Sequence, residues 1–255
     1  MPSDPPPWRG FTFPLNVFMH ILSHEEGAVR HLHYGLFERA EDTLLEAQER
    51  STELLLSRLP PPPAKLLEAG IGLGTMLTRL LALGYEAEGI TPDEHQIAMA
   101  HEKYDGLPVH CAAFETFDPG RTYDAIVFQE SSQYIDSEAL FARAKALAPR
   151  VIVLDEFALQ PLDEEGALHS LTGFLEAATR YGFRVTEELD VSAKAAPTMD
   201  YFTNRIPASR ERLIADLGVT DEQIEQLIAS GAKYRSRYAE GVYGYRLLVL
   251  ECCDG

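Results

Sequence analysis

Beyond residue 64, short apolar runs alternate with longer stretches whose apolar residues recur at helical spacing. The runs are Lys65–Ala69, Glu86–Ile90, Val109–Ala112, Ala125–Gln129, Val151–Leu154, Arg184–Leu189 and Arg246–Cys252. Between them the spacing predicts helices over Thr75–Leu83, Asp93–Tyr104, Ser137–Leu147 and Gly166–Tyr181. This alternation is the signature of βα units and a parallel sheet. Ahead of it, Leu44, Leu45, Leu55, Leu56 and Leu59 predict a helix within Arg39–Leu59, which the proline run Pro60–Pro63 stops. Ser192–Gly241 reads as a helical insert punctuated by Pro197 and Pro207, with Asp221–Tyr238 one amphipathic helix that turns Ile224, Leu227 and Ile228 inward. Gly241–Gly244 then turns the chain into a last strand that pairs antiparallel with its neighbour.

The organisation predicted is a tail and helical cap over 1–62 and a core over 63–255 that carries a helical lid at 193–241, all in one structural domain. Met1–Pro14, with Pro2, Pro5, Pro6, Pro7 and Pro14, predicts a frayed tail without the pattern of an export signal. No internal repeat is visible.

Lys65-Leu66-Leu67-Glu68-Ala69-Gly70-Ile71-Gly72-Leu73-Gly74-Thr75 is a strand, a glycine turn and the start of a helix. Glycine permits positive φ and close approach of a ligand to the backbone, and the following helix offers unpaired N–H groups. The spacing E-x-G-x-G-x-G is not the G-x-G-x-x-G of a dinucleotide fold. A carboxylate at Glu68 would repel a pyrophosphate but suits the ammonium of an amino-acid moiety. The ligand expected here is cationic at one end.

This loop resembles the first motif of class I S-adenosylmethionine-dependent methyltransferases. The resemblance runs from about His31 to Cys252 and is nearest to the branch of cyclopropane fatty acid synthases and small-molecule methyltransferases. It implies a Rossmann-like, doubly wound, seven-stranded α/β sheet, mostly parallel with the last strand antiparallel, an N-terminal helical cap and a helical insert before the last strand. The cofactor implied is S-adenosyl-L-methionine, with S-adenosyl-L-homocysteine as product. Its cradle is expected from Glu68, Gly70, Ile71, Gly72 and Gly74. Thr91 and Gln96, in Gly89-Ile90-Thr91-Pro92-Asp93-Glu94-His95-Gln96, match the branch's pair facing ribose and adenosine; Thr91 as a plain helix cap is the alternative. Ala113 and Phe114 are expected at the adenine, Gln129 at the end of the fourth strand, and Tyr34, in His33-Tyr34-Gly35, beside the sulfonium region.

Ligands of open α/β sheets lie beyond the carboxyl ends of the strands, so Gln129–Tyr134 and Asp155–Phe157 are expected to face the reaction. His33, Glu130 and Tyr134 are the candidate catalytic groups, His33 or Glu130 as the base that a nitrogen or oxygen nucleophile needs. Gln133, Phe157, Tyr201, Tyr234 and Tyr238 are the candidate substrate contacts. Aromatics with carboxylates such as Glu130 and Glu156 suit an amine or its methylated cation. Cyclopropane synthases carry a Phe-Glu-His segment that here aligns with Gln133 and Tyr134, which favours ordinary N- or O-methylation of a small metabolite.

Composition narrows the partners. The chain has 255 residues, 45% of them apolar, enough for a core. No apolar run approaches the roughly 18 residues that span a bilayer. The net charge of −18 disfavours nucleic acid and anionic membranes and suits a small substrate that is neutral or cationic. Cys111, Cys252 and Cys253 make no disulfide framework and fit the cytoplasm. A homodimer is compatible with this composition but not read from it. His20 and His24 stand four apart on what reads as a solvated helix face, and no metal is expected. The competing classes are a nicotinamide-dependent oxidoreductase, which Thr75 and Thr91 oppose, a lipid-modifying C-methyltransferase or cyclopropane-type enzyme, and a noncatalytic adenosylmethionine-binding module.

Overall fold

The apolar runs pair into one seven-stranded sheet in the computed structural model, which describes residues 6–162 and 168–253. Residues 1–5, and the expected helix start at Gly166, lie outside the described residues. In chain order the cap holds α1 (Leu15–Glu26) and α2 (Leu44–Leu56). The alternating part follows as β1 (Lys65–Ala69), α3 (Thr75–Ala82), β2 (Glu86–Thr91), α4 (Glu94–Lys103), β3 (Val109–Cys111), β4 (Ala125–Gln129), α5 (Ser137–Leu147), β5 (Arg150–Ala158), α6 (Leu171–Arg180) and β6 (Phe183–Asp190). The insert contributes α7 (Ser192–Ala195), α8 (Pro197–Ala208), α9 (Arg210–Leu217) and α10 (Asp221–Ala239), and β7 (Tyr243–Cys252) closes the sheet. The strand order is β3-β2-β1-β4-β5-β7-β6, with β7 antiparallel to both neighbours and the other pairings parallel. The order reverses direction between β1 and β4, the switch point at which such sheets open a crevice.

Alternation along the strands assigns the two faces. Leu67, Ile126, Val153 and Leu248 point to α5 and α6, where Phe141, Phe174 and Phe183 fill the core. Leu66, Val127, Leu154 and Leu247 point the other way, to α3 and the cap. Continued to the strand ends, the same alternation sets Glu68, Gln129, Glu156 and Tyr245 on the cap face and Asp155 and Phe157 on the opposite one.

Two expectations are corrected. The fifth strand does not stop at Leu154, because nine antiparallel pairs with β7, from Arg150↔Glu251 to Ala158↔Tyr243, carry it to Ala158. The tail is not frayed up to Pro14: Pro7–Gly10 forms a 3-10 turn, and Phe11 is buried with Met19 and Leu73. Neither α1 nor its burial of Val17, Ile21 and Leu22 was anticipated. α2 begins at a Thr43–Glu46 capping box, which sets its start later than the apolar spacing alone suggests. No helix among the described residues is long and apolar enough to cross a membrane.

Candidate active site

Glu68, next to last in β1, is 3% exposed, and its Oε2 has no hydrogen-bond partner. Burial alone pushes its carboxyl well above the usual carboxylate range. A buried polar atom left unpaired costs free energy, and an incoming ammonium would both pair it and restore its charge. The loop after it has three glycines at positive φ, and each serves a different end. A Cβ on Gly70 would lie 2.4 Å from that of Ser131, and one on Gly74 would lie 2.8 Å from Leu107 Cδ1. These two let the loop pack against β4 and α4. A Cβ on Gly72 would meet nothing nearer than Leu32 Cδ1 at 3.7 Å, so this glycine leaves space over the loop. Ile71 is buried, and its Cγ2 fills the place where Gly89 lacks a Cβ.

At the end of β2, Thr91 Oγ1 donates to Gln96 Oε1 at 3.0 Å. The cap of α4 is Asp93, whose Oδ1 accepts from His95 N and Gln96 N, so Thr91 is not the helix cap. Thr91 Oγ1 also accepts from Asp93 N at 3.2 Å, so the buried hydroxyl ties the strand end to the start of α4.

Polar residues at inward positions of α2 hold the chain that crosses above the sheet. Gln48 Nε2 donates to the carbonyl of His33 at 2.7 Å, Thr52 Oγ1 meets His33 Nε2 at 3.2 Å, and Gln129 Nε2 reaches Ser51 Oγ at 3.5 Å. His33 Nδ1 lies 2.9 Å from the carbonyl of Tyr34, which can only accept, so the ring proton sits there and Nε2 takes the hydroxyl proton of Thr52. Desolvation, with the ring of His31 at 4.8 Å, pushes the pKa of His33 down to about 3. Both nitrogens are occupied and the ring is neutral. His33 therefore positions Tyr34 and is not a free base.

Tyr34 meets a cluster of acids under the cap. Its backbone N–H donates to Glu130 Oε1 at 2.5 Å, and Tyr245 Oη donates to the same oxygen at 2.5 Å. The rings of Tyr34 and Tyr245 stack 5.7 Å apart and 7° from parallel. Glu156, next along β5 on the same face, accepts from Tyr238 Oη of α10 at 2.6 Å and interacts with the Tyr34 side chain. Asp155 on the opposite face accepts from Ser132 N and Oγ at 2.9 and 2.7 Å, which fixes the turn after β4. In that turn Glu130 has φ 54, the one positive φ of a non-glycine among the described residues. Such strain, of order 1–3 kcal/mol, persists where the surroundings fix it, and it gathers at functional sites.

Burial raises all three carboxyls: Glu130 well above the usual range, Asp155 to about 6 and Glu156 to about 7. A carboxyl whose folded pKa exceeds its unfolded one contributes stability below the unfolded value and loses it as pH rises through the folded value. Glu156 faces Asp155, Glu130, Tyr34, Tyr238 and Tyr234, none of them a cation. Glu156→Gln, which stays neutral, is therefore expected to melt higher than the unsubstituted protein at about pH 8.5, with the gap closing towards about pH 4. Thermal melts across that range check it, and a constant gap would contradict the assignment.

No family model matches the chain. A relative, cyclopropane mycolic acid synthase 3 of Mycobacterium tuberculosis, is 23% identical over 242 residues, spanning 80% of this chain and 84% of the relative. The solved mycolic acid cyclopropane synthase CmaA1, complexed with SAH and CTAB, superposes with a TM-score of 0.75 at 20% identity, covering 87% of this chain and 90% of that one. A candidate sarcosine dimethylglycine methyltransferase of Galdieria sulphuraria superposes with a TM-score of 0.78 at 16% identity, covering 92% and 96%. The fold is that of the class I methyltransferases.

Within this methyltransferase fold the expected site residues divide into two groups. Tyr34, Glu68, Gly72, Thr91, Gln96, Gln129, Glu130, Tyr234 and Tyr238 gather along the strand ends on the cap side. Tyr134 stands at the surface beside them, 81% exposed, and the backbone N–H of Gln133 joins the turn around Asp155. Ala113 is half-buried just before a 3-10 turn. Phe114 turns its ring inward, edge-on to Phe128 at 5.1 Å, and does not offer a face to an adenine. Phe157 is fully buried on the far side of the sheet against Phe174, so it is not a substrate contact. Tyr201 is also misassigned: its hydroxyl donates to Glu26 Oε1 at 2.7 Å, Arg205 lies 3.5 Å above its ring, and it borders a different cleft of about 420 Å³ between 37–42 and α8.

The early histidines are corrected as well. His20 is not solvated but 2% exposed. His20, His24 and Asp216 offer ligand atoms within 4.8 Å of one another, the spacing of a metal site. However, Trp8 Nε1 donates to His20 Nδ1 at 3.1 Å, which leaves the proton of the neutral ring on Nε2, facing Asp216 Oδ2 at 3.1 Å. Among the residues missed from the sequence, Tyr245 and Met199 matter most. Tyr245 carried a signal, since it is the polar end of the inward series Tyr245, Leu247, Val249. Met199 Sδ accepts from Tyr34 Oη at 2.8 Å and carried none.

Proposed function

We propose that this chain is an S-adenosylmethionine-dependent methyltransferase acting on a small molecule, with nitrogen or oxygen as the acceptor atom. The observation that carries the reading is the unpaired carboxylate oxygen of Glu68, buried beneath a glycine loop that leaves room at Gly72. Glu68 would hold the ammonium of the cofactor's amino-acid end, the backbone of Gly70–Gly74 its neighbourhood, and Thr91 with Gln96 its hydroxyls. The bound cofactor supplies a methyl group on a positively charged sulfur, open to in-line attack. The protein's share is orientation and exclusion of water, worth several kcal/mol when two reactants are held in line. Glu156, whose carboxyl titrates at about 7, would take the proton that the acceptor loses, with Glu130 beside it.

Transfer to carbon, including cyclopropane formation, is the second reading, favoured by the similarity to the Mycobacterium tuberculosis synthase. Gln133 and Tyr134 stand where that branch has glutamate and histidine, which weighs against it. Calorimetric titration with S-adenosylmethionine, S-adenosylhomocysteine and nicotinamide dinucleotides tests the class. Micromolar binding of the two adenosyl ligands is expected, and binding of a dinucleotide alone would overturn the reading. Glu68→Gln keeps the shape but removes the charge, so both adenosyl ligands should bind about 10- to 100-fold more weakly, the worth of one charged hydrogen bond.

A further inference from the structure

We propose that Glu130 and Glu156, walled by Tyr34, Tyr234 and Tyr238, form a subsite for the ammonium group of an amine acceptor. The inference rests on the methyltransferase reading and names the substrate class of the same site. Two carboxylates enclosed under the cap are costly to keep unless a positive charge meets them. The groups that act most on Glu156 are Tyr238, Asp155 and Tyr34, and those that act most on Glu130 are Tyr245, Glu156, Tyr34 and Asp155, none of them a cation; Arg237, the cation beside the walls, lies 4.9 Å over the ring of Tyr243 and acts on Tyr234. The tyrosine hydroxyls satisfy one oxygen of each acid and supply no charge. What the cluster lacks, an ammonium group brings: a positive charge with N–H donors.

The walls fit the same guest. Tyr234 and Tyr238 come from successive turns of α10 and pack around Tyr243, with ring centres 5.1 and 6.4 Å from it, while Tyr34 lies stacked on Tyr245. Aromatic faces attract ammonium and methylated ammonium ions alike, so such walls would accept both an amine and its methylated product. Glu68, buried with its Oε2 unpaired and assigned above to the cofactor's ammonium, lies on the same sheet face one residue before the end of β1. The space under the cap thus offers acids that a cation would recharge at two places, Glu68 near the glycine loop and the Glu130–Glu156 pair near β5 and α10. A phenol, an alkene or an anionic acceptor would gain nothing from the second. An arriving ammonium gives one N–H proton to a carboxylate oxygen of Glu156, which becomes a neutral acid, and the nitrogen is left with the lone pair that a nucleophile needs. Glu130 and the three tyrosines lie around that carboxyl, Asp155 acts on it from the opposite face, and burial favours the neutral acid.

The test uses the whole chain saturated with S-adenosylhomocysteine, titrated with N,N-dimethylethanolamine, an ammonium ion with one N–H at neutral pH, and with its neutral isostere 3-methylbutan-1-ol, in which carbon replaces nitrogen. The amine is expected to bind about tenfold or more tighter than the isostere. Glu130→Gln and Glu156→Gln should each remove most of that preference while leaving S-adenosylhomocysteine affinity within about twofold. If either variant does not fold, Tyr234→Ala, which only strips an aromatic face from the half-buried side of α10, should weaken the amine and not the isostere. Equal binding of the two probes, binding of neither, or a preference that survives the substitutions would overturn the amine subsite and leave the methyltransferase reading standing. Failure of the unsubstituted protein to bind S-adenosylhomocysteine would instead sink that reading itself.

Discussion

Gly72→Arg is expected to abolish binding of S-adenosylmethionine and S-adenosylhomocysteine, weakening each by more than about 100-fold, or about 2.7 kcal/mol. The three glycines of the loop are not equivalent tests. Substitution of Gly70 or Gly74 would drive a side chain into Ser131 or Leu107, and any loss of binding would be confounded with damage to the fold. Gly72 has open space before it, so an arginine can be accommodated by the protein while it occupies the room a ligand needs. Its φ of 51 is left-handed, which costs a non-glycine residue roughly 1–2 kcal/mol and should lower the melting temperature only modestly. The guanidinium would also pair with the acidic crevice and compete with the ammonium that Glu68 awaits. Calorimetry beside a thermal melt separates the two effects. A folded Gly72→Arg protein that still binds the adenosyl ligands would show that the loop is a connection and not a cradle.

Phe157→Ala should destabilise the protein by about 3–5 kcal/mol, the range for truncating a fully buried phenylalanine. For a chain of this size that lowers the melting temperature by roughly 6–20 °C. The sequence places Phe157 just past a strand and therefore at the substrate; the structure places it inside β5, fully buried and tilted against Phe174 at 5.1 Å. The two positions make opposite forecasts. A substrate contact would leave stability alone and weaken acceptor binding, whereas a core residue does the reverse. Glu156, one residue earlier, points to the cap face and should behave as the site residue.

That one-residue contrast shows where sequence reasoning loses its hold. Strand existence was legible in each of the seven runs, because apolar positions with period two or in short buried blocks survive any tertiary arrangement. Strand ends were not, since Asp155, Glu156 and Phe157 break the apolar run of β5 and only its pairing with β7 keeps them extended. An error of a few residues in a strand end becomes an error of face, because successive side chains point to opposite sides. Phe114 and Tyr201 failed for a related reason: an aromatic near a site in sequence is often spent on packing, and its orientation is decided by neighbours such as Phe128 and Glu26 that lie far off along the chain.

The glycine loop was legible down to its conformation, because positive φ, a preceding acid and a following helix are local facts about residues 65–75. The seven-stranded, mostly parallel sheet with an antiparallel last strand followed from βα alternation and the resemblance, while the strand order came from the structure. What only the tertiary structure decided is the acid cluster. Glu130, Glu156, Tyr34, Tyr238 and Tyr245 come from the turn after β4, from β5, from the cap, from the lid and from the last strand, and no local pattern relates them. Their burial together, and with it the rise of their pKa values and the demand for a cation, follows from folding the cap and α10 over one face of the sheet. Local conformation is written in neighbouring residues; charge balance in a closed site depends on which distant side chains share it.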